Sequence, residues 1–242
     1  MMEVRIRLRP WQKRALEKLD TRDYGVLICH RRFGKTVLAV ARLCRNAAQG
    51  GSSYRGAYIA PTCRQAKDVA WDYVKRIALA AGAKVNEGEL RVDFPNGARI
   101  RLYGAENPDS LRGLNLCDVV FDEVAQMPYA MWSEIVLPML LATHGRALFL
   151  GTPKGRNALW KVWENARLHE EKWAALMYRA SETGILSEED LAVARRESSE
   201  AEYEQEYECS FTAAVTGAYY GTPYQYILYL PYNHSYEVLV LK

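Results

Sequence analysis

Four short apolar runs, Gly25–Cys29, Gly56–Ala60, Cys117–Phe121 and Ala147–Leu150, constrain this chain more than any other feature. Each is nearly continuous rather than alternating, which is the pattern of a strand covered on both faces. Between them lie stretches of helical period. Lys35–Ala48 places Val37, Val40, Ala41 and Cys44 on one side, and Arg64–Ala81 does the same with Ala66, Val69, Ala70, Tyr73, Val74, Ile77 and Ala78. Buried strands that alternate with helices predict a mainly parallel sheet flanked by helices on both sides. At 242 residues the chain can bury a generous core of this kind and still carry a small appendage.

Other segments depart from the alternation. Glu89–Tyr103 reads as strand, turn, strand: Leu90, Val92 and Phe94 alternate, Pro95-Asn96-Gly97 turns, and Ile100 and Leu102 follow, so a β-hairpin is expected. Beyond Leu150 the sequence predicts a helix over Asn157–Arg167, a strand over Trp173–Tyr178 and a charged helical region from Ser187 to about Glu206. Thr222–Lys242 is crowded with tyrosines, has no helical period, and reads as one or two strands.

Composition excludes several classes. No run approaches the roughly 20 apolar residues of a membrane helix, and Met1–Arg7 has no signal-peptide stretch. The five cysteines are scattered, without a C-x-x-C pair or a histidine at zinc-ligand spacing, so neither a zinc site nor a disulfide framework is expected. A net charge of +3 does not by itself indicate nucleic acid.

Chemistry enters after the first run. A strand ending at Cys29, the loop His30-Arg31-Arg32-Phe33-Gly34-Lys35-Thr36 and then a helix form the architecture of a phosphate site. Backbone N–H groups and the helix N-terminus favour an anion there. Lys35 would reach the β- and γ-phosphates, and the Thr36 hydroxyl would ligate magnesium. Gly-Lys-Ser/Thr alone arises by chance in about one chain in ten of this length, and Cys29 stands where G-x-x-x-x-G-K-[ST] has its first glycine. Context strengthens the motif. The third run ends in Asp122-Glu123, where the first acid suits a magnesium shell and the second can polarise water. The fourth ends in Gly151-Thr152-Pro153, which a parallel sheet would place near the γ-phosphate.

In this order and spacing the motifs resemble those of terminase large subunits of tailed phages and prophages, motors that package viral DNA. The loop His30–Thr36 is similar to that family's glycine-poor, arginine-containing Walker A. Val119–Glu123 resembles its Walker B with catalytic glutamate, and Leu150–Pro153 its coupling motif. Leu8-Arg9-Pro10-Trp11-Gln12 is similar to its adenine-contacting element.

The resemblance implies a P-loop NTPase fold of ASCE/RecA-like type, with an ATPase core over residues 1–178, a lid over 179–216 and a linker towards a nuclease domain over 217–242. It implies ATP and Mg2+, with Thr36 and Asp122 on the metal and Trp11, Gln12, His30, Arg32, Phe33, Gly34, Lys35 and Thr36 around the nucleotide. Catalysis would fall to Glu123, to Arg31 from within the subunit, to Arg112 as a finger from a neighbour, and to Thr152 as a relay. The implied partners are double-stranded DNA, a portal protein, a small terminase subunit and further copies in a pentameric ring, although the isolated domain can be a monomer. The implied place is the portal vertex of a procapsid in the host cytoplasm. Arginines Arg91, Arg99 and Arg101 of the hairpin are candidate DNA contacts, although solvated strand faces carry such residues too. The family's nuclease holds metal on clustered aspartates, and no aspartate follows Asp190, so cleavage is not expected of this chain. A fragment serving as a binding or assembly module, or a helicase-like ATPase, stays open on the sequence.

Overall fold

The apolar runs become neighbouring strands of one sheet. The computed structural model describes residues 6–212, 227–232 and 235–240. Its first half runs α1 (Pro10–Leu19), β1 (Tyr24–Cys29), α2 (Lys35–Gly50), β2 (Arg55–Ala60), α3 (Cys63–Ala66), α4 (Asp72–Ala80), β3 (Lys84–Asn86), β4 (Arg91–Asp93) and β5 (Arg99–Gly104). It continues through β6 (Asp118–Phe121), α5 (Leu137–Thr143), β7 (Arg146–Gly151), α6 (Ala158–Leu168), β8 (Trp173–Tyr178), α7 (Ala180–Thr183), α8 (Glu188–Glu197) and α9 (Glu200–Glu206). A second sheet is the antiparallel pair β9 (Ile227–Tyr232) and β10 (Ser235–Val240). The first residues of the expected linker, 217–226, lie outside the described residues.

The main sheet has eight strands in the order β3-β4-β5-β2-β6-β7-β1-β8. From β5 to β8 every pairing is parallel; the hairpin enters the sheet through β5, and its other strand, β4, pairs antiparallel on the far side. β7 stands between β1, which leads into the phosphate loop, and β6, which ends at Asp122. Both core faces are apolar because successive strand residues point to opposite sides. Leu27 and Cys29 join one cluster with Leu38, Leu43 and Trp71, whereas Val26 and Ile28 join the other with Phe121, Phe149 and Leu159.

Three details differ from the sequence reading. The helix expected over Arg64–Ala81 is interrupted by a π-turn at Lys67–Trp71. The charged region after Ser187 is two helices, because Ser199 caps a new one by accepting from Glu202 N–H at 3.2 Å. A short edge strand, β3, pairs antiparallel with β4.

One buried ionic cluster fixes α2 against β6. The Asp118 carboxylate accepts from Arg42 Nη1 at 3.3 Å, Asn46 Nδ2 at 2.7 Å and the Tyr54 hydroxyl at 2.9 Å. Asp20, just after α1, accepts from Arg42 Nε at 3.4 Å and from both Arg45 terminal nitrogens at 2.8 Å.

Candidate active site

The loop between β1 and α2 turns through two residues of positive φ, Arg32 at 70° and Gly34 at 91°. At position 34 the backbone requires glycine, and so does space: a Cβ there would lie 2.5 Å from Gln12 Nε2. That closeness is a brace. Gln12 donates to the Gly34 carbonyl at 2.9 Å, while its own carbonyl accepts from Arg9 N–H at 2.8 Å.

Several residues expected around the nucleotide stand behind the loop instead. Phe33 is fully buried and stacks on Tyr178 at 5.1 Å, so its side chain anchors the loop to the core. His30 is buried and lies 2.5 Å from the Arg31 carbonyl through Nδ1 and 2.8 Å from Thr183 Oγ1 through Nε2. A carbonyl only accepts, so Nδ1 carries the proton and Nε2 accepts from the threonine. Burial lowers the imidazole pKa, which agrees with this neutral tautomer. The Trp11 indole donates to the Thr183 carbonyl at 2.8 Å. Both polar groups are thus engaged by protein: Gln12 braces the loop, and Trp11 is tied to α7.

The cleft itself, of about 410 Å³, is lined by Arg31, Arg32, Lys35, Glu123, Thr152 and Glu206, together with Gln126 and Lys154. Lys35 Nζ lies 3.4 Å from Glu123 Oε1. Thr36 Oγ1 donates to Asp122 Oδ2 at 3.3 Å, the Tyr58 hydroxyl donates to the same oxygen, and Glu123 N–H donates to Asp122 Oδ1 at 3.0 Å. Burial pushes the Asp122 carboxyl up from the usual carboxylate range, while Tyr58 and Lys35 favour its ionised form. Burial also disfavours the Lys35 ammonium, but Glu123 and Asp122 outweigh it and the net direction is upward. Thr152 is buried and donates to the Cys29 carbonyl at 3.4 Å, tying the end of β7 to the start of the loop.

Glu123 adopts φ 55° and ψ 45°, a left-handed conformation costing of order 1–3 kcal/mol in a non-glycine residue. The Asp122 and Lys35 contacts hold it there, aimed into the cleft. The donor set also fits magnesium. Hydroxyl and carboxylate oxygens of Thr36 and Asp122 lie side by side, and Mg2+ on phosphates needs only one or two carboxylates beside substrate oxygens and water. Among the described residues no group of three or more His, Cys, Asp or Glu could form an all-protein cage.

Arg112 lies away from this cleft, exposed and paired with Asp109 at 2.8 Å. A larger hollow of about 600 Å³ is walled mainly by aliphatics such as Leu8, Leu16 and Ile77, and Arg45 there is already engaged by Asp20, so it offers phosphate no free charge. Sequence reading missed Tyr58, Thr183 and Glu206. Each comes from an element distant in sequence, and no local motif marks it.

Residues 30–223 match the family described as terminase large subunit, T4likevirus-type, N-terminal. The chain belongs to this family. It is 32% identical over 129 residues to the terminase large subunit of Thermus virus P23-45, a match covering 45% of this chain and 27% of that protein. The chain therefore spans only part of its relative's length. The large terminase ATPase domain of Thermus phage P74-26 matches with a TM-score of 0.68 at 23% identity, over 85% of this chain and 100% of that one. The large terminase of another thermophilic bacteriophage, in complex with ADP, matches with a TM-score of 0.70 at 17% identity, over 84% of this chain and 53% of that one. At such identities the likeness establishes the fold: a terminase-type α/β domain with a mainly parallel sheet.

Proposed function

We propose that this chain is the ATP-hydrolysing motor domain of a terminase large subunit, driving double-stranded DNA into a procapsid. The observation that carries the reading is the pairing of Lys35 with Glu123 beside the Thr36–Asp122 contact. Family membership and the ADP complex of the thermophilic-phage relative support it. An incoming triphosphate draws Lys35 away from Glu123, which frees the carboxylate to take a proton from the attacking water. Thr36 and Asp122 hold magnesium, which when bound neutralises charge on the phosphate oxygens. Arg31 meets the γ-phosphate from within the subunit, and Arg112, whose exposure suits it to reach outward, serves a neighbouring copy. Thr152 relays the state of the cleft through β7, residues 179–212 belong to the lid, whose expected end at 216 lies outside the described residues, and Trp11 and Gln12 shape the base site from behind the loop. The working assembly is a ring of copies on a portal protein, supplied by a small terminase subunit, in the host cytoplasm. Among the described residues no helix is long and apolar enough to cross a membrane.

Steady-state ATPase assays with DNA present test the reading. Wild type is expected to exceed Lys35→Ala by well over tenfold, because that lysine stabilises transition-state charge; equal rates would end the hydrolase reading. Mixing Arg112→Ala with Glu123→Gln protomers should restore part of the activity, and no recovery would count against a finger acting in trans.

DNA contact is proposed for the hairpin edge. Arg91 and Arg99 share Asp93 at 3.0 and 2.6 Å, whereas Arg101 lies 5.2 Å over the Tyr103 ring, and its buried Nε has no hydrogen-bond partner. Arg101→Glu should weaken binding of any duplex sequence and flatten its salt dependence by about one counterion or more. An unchanged salt slope would exclude this arginine.

A further inference from the structure

The end of α9 meets the phosphate loop at one residue. Arg31 N–H donates to the Glu206 carbonyl at 3.1 Å, and Arg31 Nε donates to Glu206 Oε2 at 2.8 Å. The Glu206 side chain is only 17% exposed, whereas that of Arg31 is 64% exposed. The carboxylate is thus a fixed support from which the guanidinium extends into the cleft, where both residues contribute to the lining. Among the described residues no acceptor engages Nη1 or Nη2 of Arg31. A guanidinium held by Nε presents its Nη pair as a planar fork, the geometry that suits phosphate oxygens.

We infer that Glu206 is a positioning residue for the terminal phosphate of a nucleoside triphosphate, holding Arg31 by Nε so that its free fork faces that phosphate. The inference rests on the hydrolase reading of the cleft. Glu206 does not touch the nucleotide, since its charge would repel phosphate; it acts through Arg31. The hydrogen bond that Arg31 donates to Glu206, and then that residue's negative charge, also raise the Arg31 pKa. A diphosphate presents nothing at the fork. Glu206 therefore separates triphosphate from diphosphate, and it makes the set of Arg31 depend on where α9 lies.

The test is to measure binding of ADP and of a non-hydrolysable ATP analogue, with steady-state ATPase kinetics. Wild type, Glu206→Ala, Glu206→Gln, Arg31→Ala and the Arg31→Ala/Glu206→Ala double variant are compared. The backbone bond from Arg31 N–H to the Glu206 carbonyl survives every one of these changes. Glu206→Ala should weaken the triphosphate analogue about tenfold, as loss of a charge-assisted hydrogen bond implies, and leave ADP within about twofold on the same scale. Glu206→Gln should fall between, because its amide oxygen still accepts from Nε, and it stands in if the alanine variant melts early. The double variant should match Arg31→Ala. Equal weakening of both nucleotides, or losses that multiply in the double variant, would overturn the proposal. If wild type binds neither nucleotide, the hydrolase reading fails and this inference with it. If wild type binds both and hydrolyses ATP while Glu206→Ala is unchanged, the inference alone fails.

Discussion

Glu123→Gln is expected to lower kcat by about 10²–10⁴-fold, the usual worth of a positioned general base, while the variant binds ATP at least as tightly as wild type. The amide keeps the size of the side chain and can still accept from Lys35, now 3.4 Å from the carboxylate. It cannot take a proton from water. That loss corresponds to about 2.7–5.4 kcal/mol at 1.36 kcal/mol per decade of rate. Binding is spared because the residue's negative charge opposes a triphosphate, and its removal leaves Lys35 free to meet the phosphates. Glu123→Ala should differ in kind. It also strips Lys35 of the nearer of its two anionic neighbours and leaves the buried ammonium to Asp122. Single-turnover hydrolysis with direct nucleotide titration separates the two effects. A Glu123→Gln enzyme that retains more than about a third of wild-type kcat would remove Glu123 from the base role.

Much of this site is legible in the sequence because its chemistry lies at strand ends. The expected strand Trp173–Tyr178 forms over those same residues, and the run Gly25–Cys29 differs from β1 only by Tyr24. Two-sided burial writes a parallel strand as an uninterrupted apolar run, and the chain leaves that run at the carboxyl edge where phosphate sits. Lys35, Thr36, Asp122 and Glu123 are readable for that reason. Tyr58, Thr183 and Glu206 are not, because each meets the site by pairing across distant elements, and a buried polar side chain has no periodicity of its own. Gln12 shows the difference most clearly. A family motif marks it as a nucleotide contact, yet Gly34 approaches so closely that its amide is consumed in bracing the loop. The break at Ser198–Ser199 was readable in principle, since Ser199 and Glu202 are spaced as a capping box.

Asp118→Ala is expected to cost about 3–5 kcal/mol of folding stability, the range for breaking one side of a buried ion pair. Asp118 and Arg42 are each only 2% exposed in their side chains. Without the carboxylate, Arg42 keeps only the longer contact to Asp20 at 3.4 Å, and Asp20 is already shared with Arg45. The Asn46 amide loses the same acceptor, and the buried Tyr54 hydroxyl is left with only the Leu43 carbonyl at 3.3 Å. Asp118→Asn should lose less, because its carbonyl can still accept from Tyr54, but it leaves the arginine charge under-compensated. Urea unfolding monitored by tryptophan fluorescence would show the midpoint falling with an unchanged slope. A loss below about 1 kcal/mol for Asp118→Ala would mean that the ion pair is exposed to solvent in a way its burial contradicts. The effect should also reach the cleft. Arg42 and Thr36 belong to the same helix, and Asp118 and Asp122 bracket the same strand, so the ionic cluster and the Thr36–Asp122 contact hold the two ends of one helix–strand packing. Loosening the far end frees α2 to shift along β6, and the variant should require more magnesium for half-maximal ATPase activity even at temperatures where it remains folded.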